Sequence, residues 1–262
     1  MICISPITLR NEKSGGFDTV PCGKCGSCLL NKMNEWSFRL QQEAKAASDV
    51  IFLTLTYSED FVPPDGVCKE HLQLYFKKLR RYVDFRYYLV SEYGPTTFRP
   101  HYHALIFFTD FDSSYIKNCE EITHKWQYGF VKIDVINTNR INYVAKYHVT
   151  KGFVPDGQNS NFCLMSRRPA IGACYLNPKN IEYHDNGGLG NFTVVNNSRY
   201  KQPLPRYYRD KIFTSEAKEH YRSFLNAKLS KKSVTDFYND VQSKDNFNTK
   251  VKDKFIKKKN KL

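Results

Sequence analysis

No stretch of this sequence approaches the ~18 consecutive apolar residues of a membrane-spanning helix. Its longest apolar runs, near Val50–Leu55 and Ala104–Phe108, are only long enough for strands. The opening MICISPITLR lacks a basic segment and carries Pro6, so a secretory leader is not expected. Internal repeats are absent, and the Lys-rich end is the only compositionally biased tract. The sequence contains no G-x4-G-K-[ST] loop and no G-x-G-x-x-G after a strand, which excludes those two ways of cradling a nucleotide's phosphates. Acidic residues are also scarce, 26 against 40 Lys and Arg in 262 residues, a net charge of +14.

Hydrophobic residues make up 41% and aromatics 15% of the chain, which supplies a core and excludes disorder for most of it. Without export, the eight cysteines are expected as reduced thiols or metal ligands, in a soluble protein of the cytoplasm. The positive charge is unevenly placed. Residues 1–200 hold 23 basic and 19 acidic side chains, whereas 201–262 hold 17 and 7. Lys250–Lys261 alone carries seven Lys and one Asp. Such a tail suits a polyanion through phosphate contact and counterion release, or serves only to solubilise a terminus.

Composition and periodicity divide the chain into a Cys-rich segment (1–33), a main domain (34–212) and a helical, Lys-rich extension (213–262). Met1–Asn31 reads as loop, Asn34–Ala47 as helix, VIFLTLTY (50–57) as strand and Glu70–Tyr82 as an amphipathic helix. Arg86–Ser91 and His101–Phe108 read as strands joined through Gly94-Pro95. Tyr115–Trp126 is a helix, Phe130–Ile136 a strand and Asn139–Val149 a helix. Residues 152–212 look irregular, and Thr214–Val234 returns to helix. One tight hairpin inside this alternation predicts an α+β fold with a mainly antiparallel central sheet flanked by helices.

Three groups of residues could carry chemistry. In His101-Tyr102-His103 the imidazoles share one strand face, about 7 Å apart, and can chelate a metal ion; two surface histidines are the plain alternative. If the hairpin pairs positions summing to 193, Glu92 faces His101 and Val90 faces His103, giving two imidazoles and a carboxylate with open coordination positions. Downstream, Tyr143, Lys146 and Tyr147 share a helix face at i, i+3 and i+4. Packing explains two tyrosines, but an ammonium on the same stripe fits better with tyrosyl attack on a phosphodiester. The third group, Cys22, Cys25 and Cys28, forms C-x2-C-x2-C, a spacing expected by chance about 0.01 times here. Three thiolates need a fourth, for which Cys3 is nearest in sequence. A structural Zn2+ is favoured over an iron–sulfur cluster or unliganded thiols. The adjacent Arg167 and Arg168 of SRRPAIG (166–172) could grip phosphate, or simply lie on a surface loop.

Taken in order, PCGKCGSC (21–28), FLTLTY (52–57), SEYG with RPHYH (91–103), YVAKY (143–147) and SRRPAIG (166–172) resemble the HUH endonucleases. More narrowly, they are similar to the rolling-circle replication initiators of gokushovirus-type microviruses. That resemblance implies His101 and His103 as metal ligands with Glu92 as the third, and Mg2+ or Mn2+ as the ion. It implies Tyr143 as nucleophile, Tyr147 as the second tyrosine and Lys146 beside them. The activity implied is nicking of single-stranded or supercoiled DNA at an origin through a 5′-phosphotyrosine, followed by rejoining. Implied partners are single-stranded and origin DNA and the replication machinery of an infected bacterial host, including a helicase, since the chain has no P-loop motor of its own. The rival expectation is a zinc-containing nucleic-acid-binding module without catalysis.

Overall fold

The computed structural model describes residues 3–12, 15–94, 96–110, 114–149, 153–186, 191–196 and 201–230, with 246, 249 and 250. The expectations for 231–234 and for the Lys-rich end beyond 250 lie outside the described residues. The chain packs as two compact units, one formed by residues up to 35 together with those from 176 onward, the other by 36–175.

The elements run β1 (Ile7–Arg10), β2 (Phe17–Val20), α1 (Gly26–Ala46), β3 (Asp49–Tyr57), α2 (Lys69–Leu79), β4 (Phe85–Tyr93), β5 (Pro100–Phe108), α3 (Tyr115–Lys125), β6 (Gly129–Val135) and α4 (Thr138–Val149). They continue with β7 (Cys163–Met165), α5 (Pro178–Asp185), β8 (Thr193–Val195), β9 (Lys201–Pro203), α6 (Arg206–Ile212) and α7 (Ser215–Ser230). The fold is the expected α+β: a five-stranded antiparallel sheet in the order β6-β3-β5-β4-β7, flanked by helices.

The sheet buries both faces at its centre, which explains the near-continuous apolar runs of β3 and β5. One face carries Leu53, Leu55, Tyr102, Ala104 and Ile106 into a core closed by Leu72, Tyr75, Phe76 and Leu79 of α2 and Ile122 of α3. The apolar stripe read at Leu72, Phe76 and Leu79 is therefore the buried face of α2. Tyr102 points into this core, where its hydroxyl accepts from Cys68 N–H at 2.7 Å and meets Tyr57 Oη at 3.1 Å. With Tyr102 turned to the core, strand alternation sends His101 and His103 to the opposite face. That face is covered over part of its area by α1 and α4, through Trp36 on Tyr88 and Tyr143 on Phe52, with ring centroids 5.1 and 6.3 Å apart.

Two expectations need correction. The segment up to 31 is not all loop: β1 and β2 form a hairpin, and α1 begins at Gly26, eight residues early. Cys25 and Cys28 turn inward there, 3% and 8% exposed, and a cysteine-rich composition hides a helix start that inward packing decides. Nor is 152–212 irregular throughout. It contains β7, paired to β4, and α5, whose start is marked by Asn177 accepting from Asn180 N–H at 3.0 Å with Pro178 in its first turn. In the same unit as α5, Phe192 lies between Phe213 and Tyr221, with ring centroids at 3.9 and 4.0 Å.

Candidate active site and cysteine cluster

Strands β4 and β5 pair in the expected register, Glu92 opposite His101 and Val90 opposite His103. The side chains then cross diagonally: Glu92 Oε1 accepts from His103 Nε2 at 2.8 Å. The other nitrogen of that ring, Nδ1, lies 3.1 Å from Thr54 Oγ1 on the neighbouring strand. His101 is held from the turn side. Its Nδ1–H donates to the Arg99 carbonyl at 2.7 Å, which leaves Nε2 as the nitrogen with a lone pair. The same carbonyl accepts from Gly94 N–H at 2.8 Å, so the hairpin end and the imidazole are fixed together. Glycine is required at 94, because a Cβ there would lie 2.8 Å from His101 Cε1.

Helix α4 brings the tyrosines onto this carboxylate. Tyr143 Oη donates to Glu92 Oε1 at 3.0 Å, and the Tyr143 and Tyr147 hydroxyls are 3.3 Å apart with ring centroids at 4.7 Å. Lys146, between them in sequence, is half-buried. Phe52 stacks on His103 at 5.5 Å and Tyr143 meets the same imidazole edge-on at 5.3 Å, so packing orients both. Ser37 of α1 donates to Asn142, which ties down the next residue of α4.

Electrostatics follow from this crowding. Burial pushes the Glu92 carboxyl up, but His103 and the Tyr147 and Tyr143 hydroxyls together pull it further down, below the usual carboxylate range. Both tyrosines are pushed up, first by burial and then by the negative charge of Glu92. As they stand, the phenols keep their protons and the carboxylate does not.

Five of the six residues expected from the sequence, His101, His103, Glu92, Tyr143 and Tyr147, thus meet on one sheet face; Lys146 lies in the same turn of α4. A divalent cation fits the donor set. Each imidazole has its Nδ1 side occupied by a carbonyl or hydroxyl, the arrangement that orients Nε2 as ligand, and an ionised carboxylate lies beside one of them. Arg167 and Arg168 stand exposed on the loop after β7 and make no hydrogen bond to this cluster. Sequence reasoning missed Glu43, which is buried in α1. It accepts from Arg86 and, at 2.6 Å, from Gly172 N–H, and so anchors that loop. A lone Glu in a helix pattern gave no signal of it.

In the other unit, Cys3, Cys22, Cys25 and Cys28 place their sulfur atoms within 4.8 Å of one another, and they can hold a metal ion. Cys25 and Cys3 Sγ are 3.8 Å apart, the edge of a tetrahedron with metal–sulfur bonds of about 2.3 Å. Backbone N–H groups of Lys24 and Cys25 point at Cys22 Sγ at 3.4 and 3.3 Å. The Ser5 hydroxyl and these amides pull the Cys22 thiol down to about 5, while burial pushes Cys28 up. The expectation of Cys3 as fourth member of the group agrees with this geometry.

The chain is similar to phage replication-associated proteins as a class: the family model of the replication-associated protein ORF2 matches residues 50–153, which include both histidines and both tyrosines. Replication-associated protein VP4 of Bdellovibrio phage phiMH2K is 26% identical, over 87% of this chain and 78% of its own. Replication-associated protein ORF2 of Spiroplasma virus 4 is 27% identical, over 93% and 95%. Replication-associated protein ORF4 of Chlamydia phage 1 is 27% identical, over 79% of this chain but 57% of its own. The resemblance read from the sequence, to initiators of the microvirus type, is borne out. No solved structure matches the chain at a significant level. No helix among the described residues is long and apolar enough to cross a membrane.

Proposed function

We propose that this protein initiates phage DNA replication in the infected bacterium by nicking one strand at an origin with Tyr143 or Tyr147. The observation that carries the reading is the convergence on Glu92 of His103 and the Tyr143 hydroxyl, at 2.8 and 3.0 Å. A nucleophile, its proton acceptor and a metal-binding nitrogen occupy the space of one phosphodiester.

His101, His103 and Glu92 would hold Mg2+ or Mn2+, which when bound supplies positive charge at the scissile phosphate. The remaining chemistry belongs to the chain. Phe52 and Tyr147 orient Tyr143 so that its oxygen attacks phosphorus in line. The phenolic proton passes toward Glu92 Oε1, its hydrogen-bond acceptor. The 3′ oxygen leaves, and the 5′ phosphate stays on tyrosine, so the bond energy is kept for rejoining. Lys146 is suited to balance charge on the leaving oxygen. With two hydroxyls 3.3 Å apart, one tyrosine can carry the first 5′ end while the other makes the second cut. Zn2+ at the four cysteines is structural in this reading, Arg167 and Arg168 contact DNA phosphates, and strand unwinding falls to a host helicase.

The test is incubation with single-stranded phage DNA and Mn2+, followed by mapping of any covalent adduct. Each single Tyr→Phe variant is expected to form an adduct without supporting strand circularisation, and the double variant to form none. A DNA remnant on neither tyrosine would leave the alternative, a zinc-containing nucleic-acid-binding module without catalysis.

A further inference from the structure

The sheet face that carries His101, His103 and Glu92 continues past β3 onto the edge strand β6. Thr56 pairs with His101 on one side and Phe130 on the other; Thr54 pairs with His103 and Lys132. Directly opposed residues of paired strands share a face. Two rows therefore cross the sheet, Phe130–Thr56–His101–Glu92 and Lys132–Thr54–His103–Val90. Their alternates on β6, Val131 and Ile133, turn the other way and pack on the core.

Exposure sets the two outer residues apart. Phe130 is 67% exposed and the Lys132 side chain 73%. A lysine on an edge strand is a common guard against strand pairing, but a large bare ring beside it works against that purpose. Isolated exposed apolar residues are ordinary; this one ends the row that contains His101. Strands lie about 4.8 Å apart, which puts Phe130 roughly 10 Å from His101, one or two nucleotides along a single strand. Lys132 Nζ is 3.6 Å from Asp134, an exposed pair weak enough to give way to a phosphate.

We propose that Phe130 and Lys132 form a single-strand subsite beside the scissile phosphate, with the Phe130 ring stacked on an unpaired nucleobase and Lys132 on a backbone phosphate. Both groups are sequence-tolerant in what they bind, since every base has a π-face. The subsite rests on the nicking function proposed above, because that reading places the scissile phosphate at the histidines. Its predicted contribution is to affinity and placement, not to the attack itself.

The test uses full-length protein and single-stranded oligonucleotides carrying one 2-aminopurine at successive positions. Binding is measured by fluorescence over a range of salt concentrations without divalent ion, and adduct formation separately with Mn2+. Wild-type protein should change the fluorescence at one or two adjacent positions. Phe130→Ala should abolish that change and weaken binding about 5- to 150-fold, the range for loss of one stacked base. Phe130→Trp should retain both. Lys132→Gln should lower the log–log salt slope by about 0.7. Both positions are exposed, so the variants should fold, which circular dichroism checks. Unchanged affinity and fluorescence in Phe130→Ala overturns the subsite. Loss of wild-type self-association in that variant, with DNA binding intact, also overturns it and gives the ring to a second copy of the chain. Loss of binding in Phe130→Ala with no wild-type adduct under any condition keeps the subsite and removes the nicking function. An adduct with indifference at Phe130 does the reverse.

Discussion

Glu43 is the most demanding residue outside the candidate active site, and replacing it should be costly. Its carboxylate is 8% exposed, pairs with Arg86, itself only 16% exposed, and accepts Gly172 N–H at 2.6 Å. Arg86 also donates to the Pro169 carbonyl at 2.8 Å, and Arg39 to the Ile171 carbonyl through two nitrogens at 3.0 and 2.9 Å. The SRRPAIG loop is thus tied to α1 and β4 through buried charge. Glu43→Ala leaves the Arg86 guanidinium uncompensated and one amide unsatisfied. Breaking a buried pair this way costs about 3–5 kcal/mol. Against a total of about 5–15 kcal/mol for a typical domain, that is a large fraction. At roughly 3 °C per kcal/mol, the melting temperature should fall by roughly 10–15 °C. Urea unfolding of Glu43→Ala, Arg86→Met and the Glu43→Met/Arg86→Met pair measures the coupling, and the double variant should recover most of the loss. Below its melting point Glu43→Ala should also bind single-stranded DNA less tightly, because Arg167 and Arg168 ride on the loosened loop. A core variant of matched stability, Leu79→Ala, should not. A loss under about 1 kcal/mol for Glu43→Ala would refute the reasoning.

Three further outcomes follow. His101→Ala and His103→Ala should each eliminate adduct formation while sparing DNA binding, and Thr54→Val, which removes only the group behind His103, should slow it by about 10–100-fold; equal activity in all three would detach the imidazoles from the chemistry. Zinc uptake at pH 7 should release fewer than four protons, because the Cys22 thiol, lowered to about 5, has already lost its own, whereas Cys28 gives one up only to the metal; a pH-indicator titration yielding four would contradict the hydrogen bonds assigned to Cys22. Removing residues 250–262 should flatten the salt dependence of DNA binding by about one log–log unit for each phosphate that the shortened chain no longer neutralises, and an unchanged slope would leave that end a solubiliser.

What the sequence revealed depended on which force decided each element. Periodicity sufficed where one face meets the core: the Leu72, Phe76 and Leu79 stripe of α2, and the alternation that sends Tyr102 inward and both histidines outward. Register could be read because the hairpin is short and side-chain alternation admits no one-residue slip without burying the wrong set. The diagonal contact of Glu92 with His103 could not be read, since pairing fixes backbones and rotamers choose the partner. Likewise α1 starts at Gly26 because Cys25 and Cys28 face inward, a tertiary preference that composition does not carry. Glu43 and Gly172 are 129 residues apart, and no local pattern announces a buried carboxylate whose partners come from two distant segments.

The role of Glu92 leads to a prediction with two opposite signs. The carboxylate sits 3.0 Å from the Tyr143 hydroxyl and 2.8 Å from His103 Nε2. Burial pushes both tyrosines up, and the charge on Glu92 pushes them further. Glu92→Gln keeps the shape and removes the charge. Burial remains, so both phenols should titrate lower than in the wild type yet still above the ordinary 10. By acidity alone the variant would then be the better nucleophile. On the proposed reading it should nonetheless form far less adduct, because the same carboxylate is a metal ligand and the acceptor of the phenolic proton. Fluorotyrosine at 143, followed by 19F NMR in metal-free protein, reports the first sign, and trapping of the covalent adduct reports the second. A lowered titration with adduct formation equal to or above wild type would mean that Glu92 only restrains the tyrosines. The third ligand would then have to come from elsewhere in the fold. An unlowered titration would mean that burial alone sets the phenols, and the hydrogen bond to Glu92 would carry no part of their chemistry.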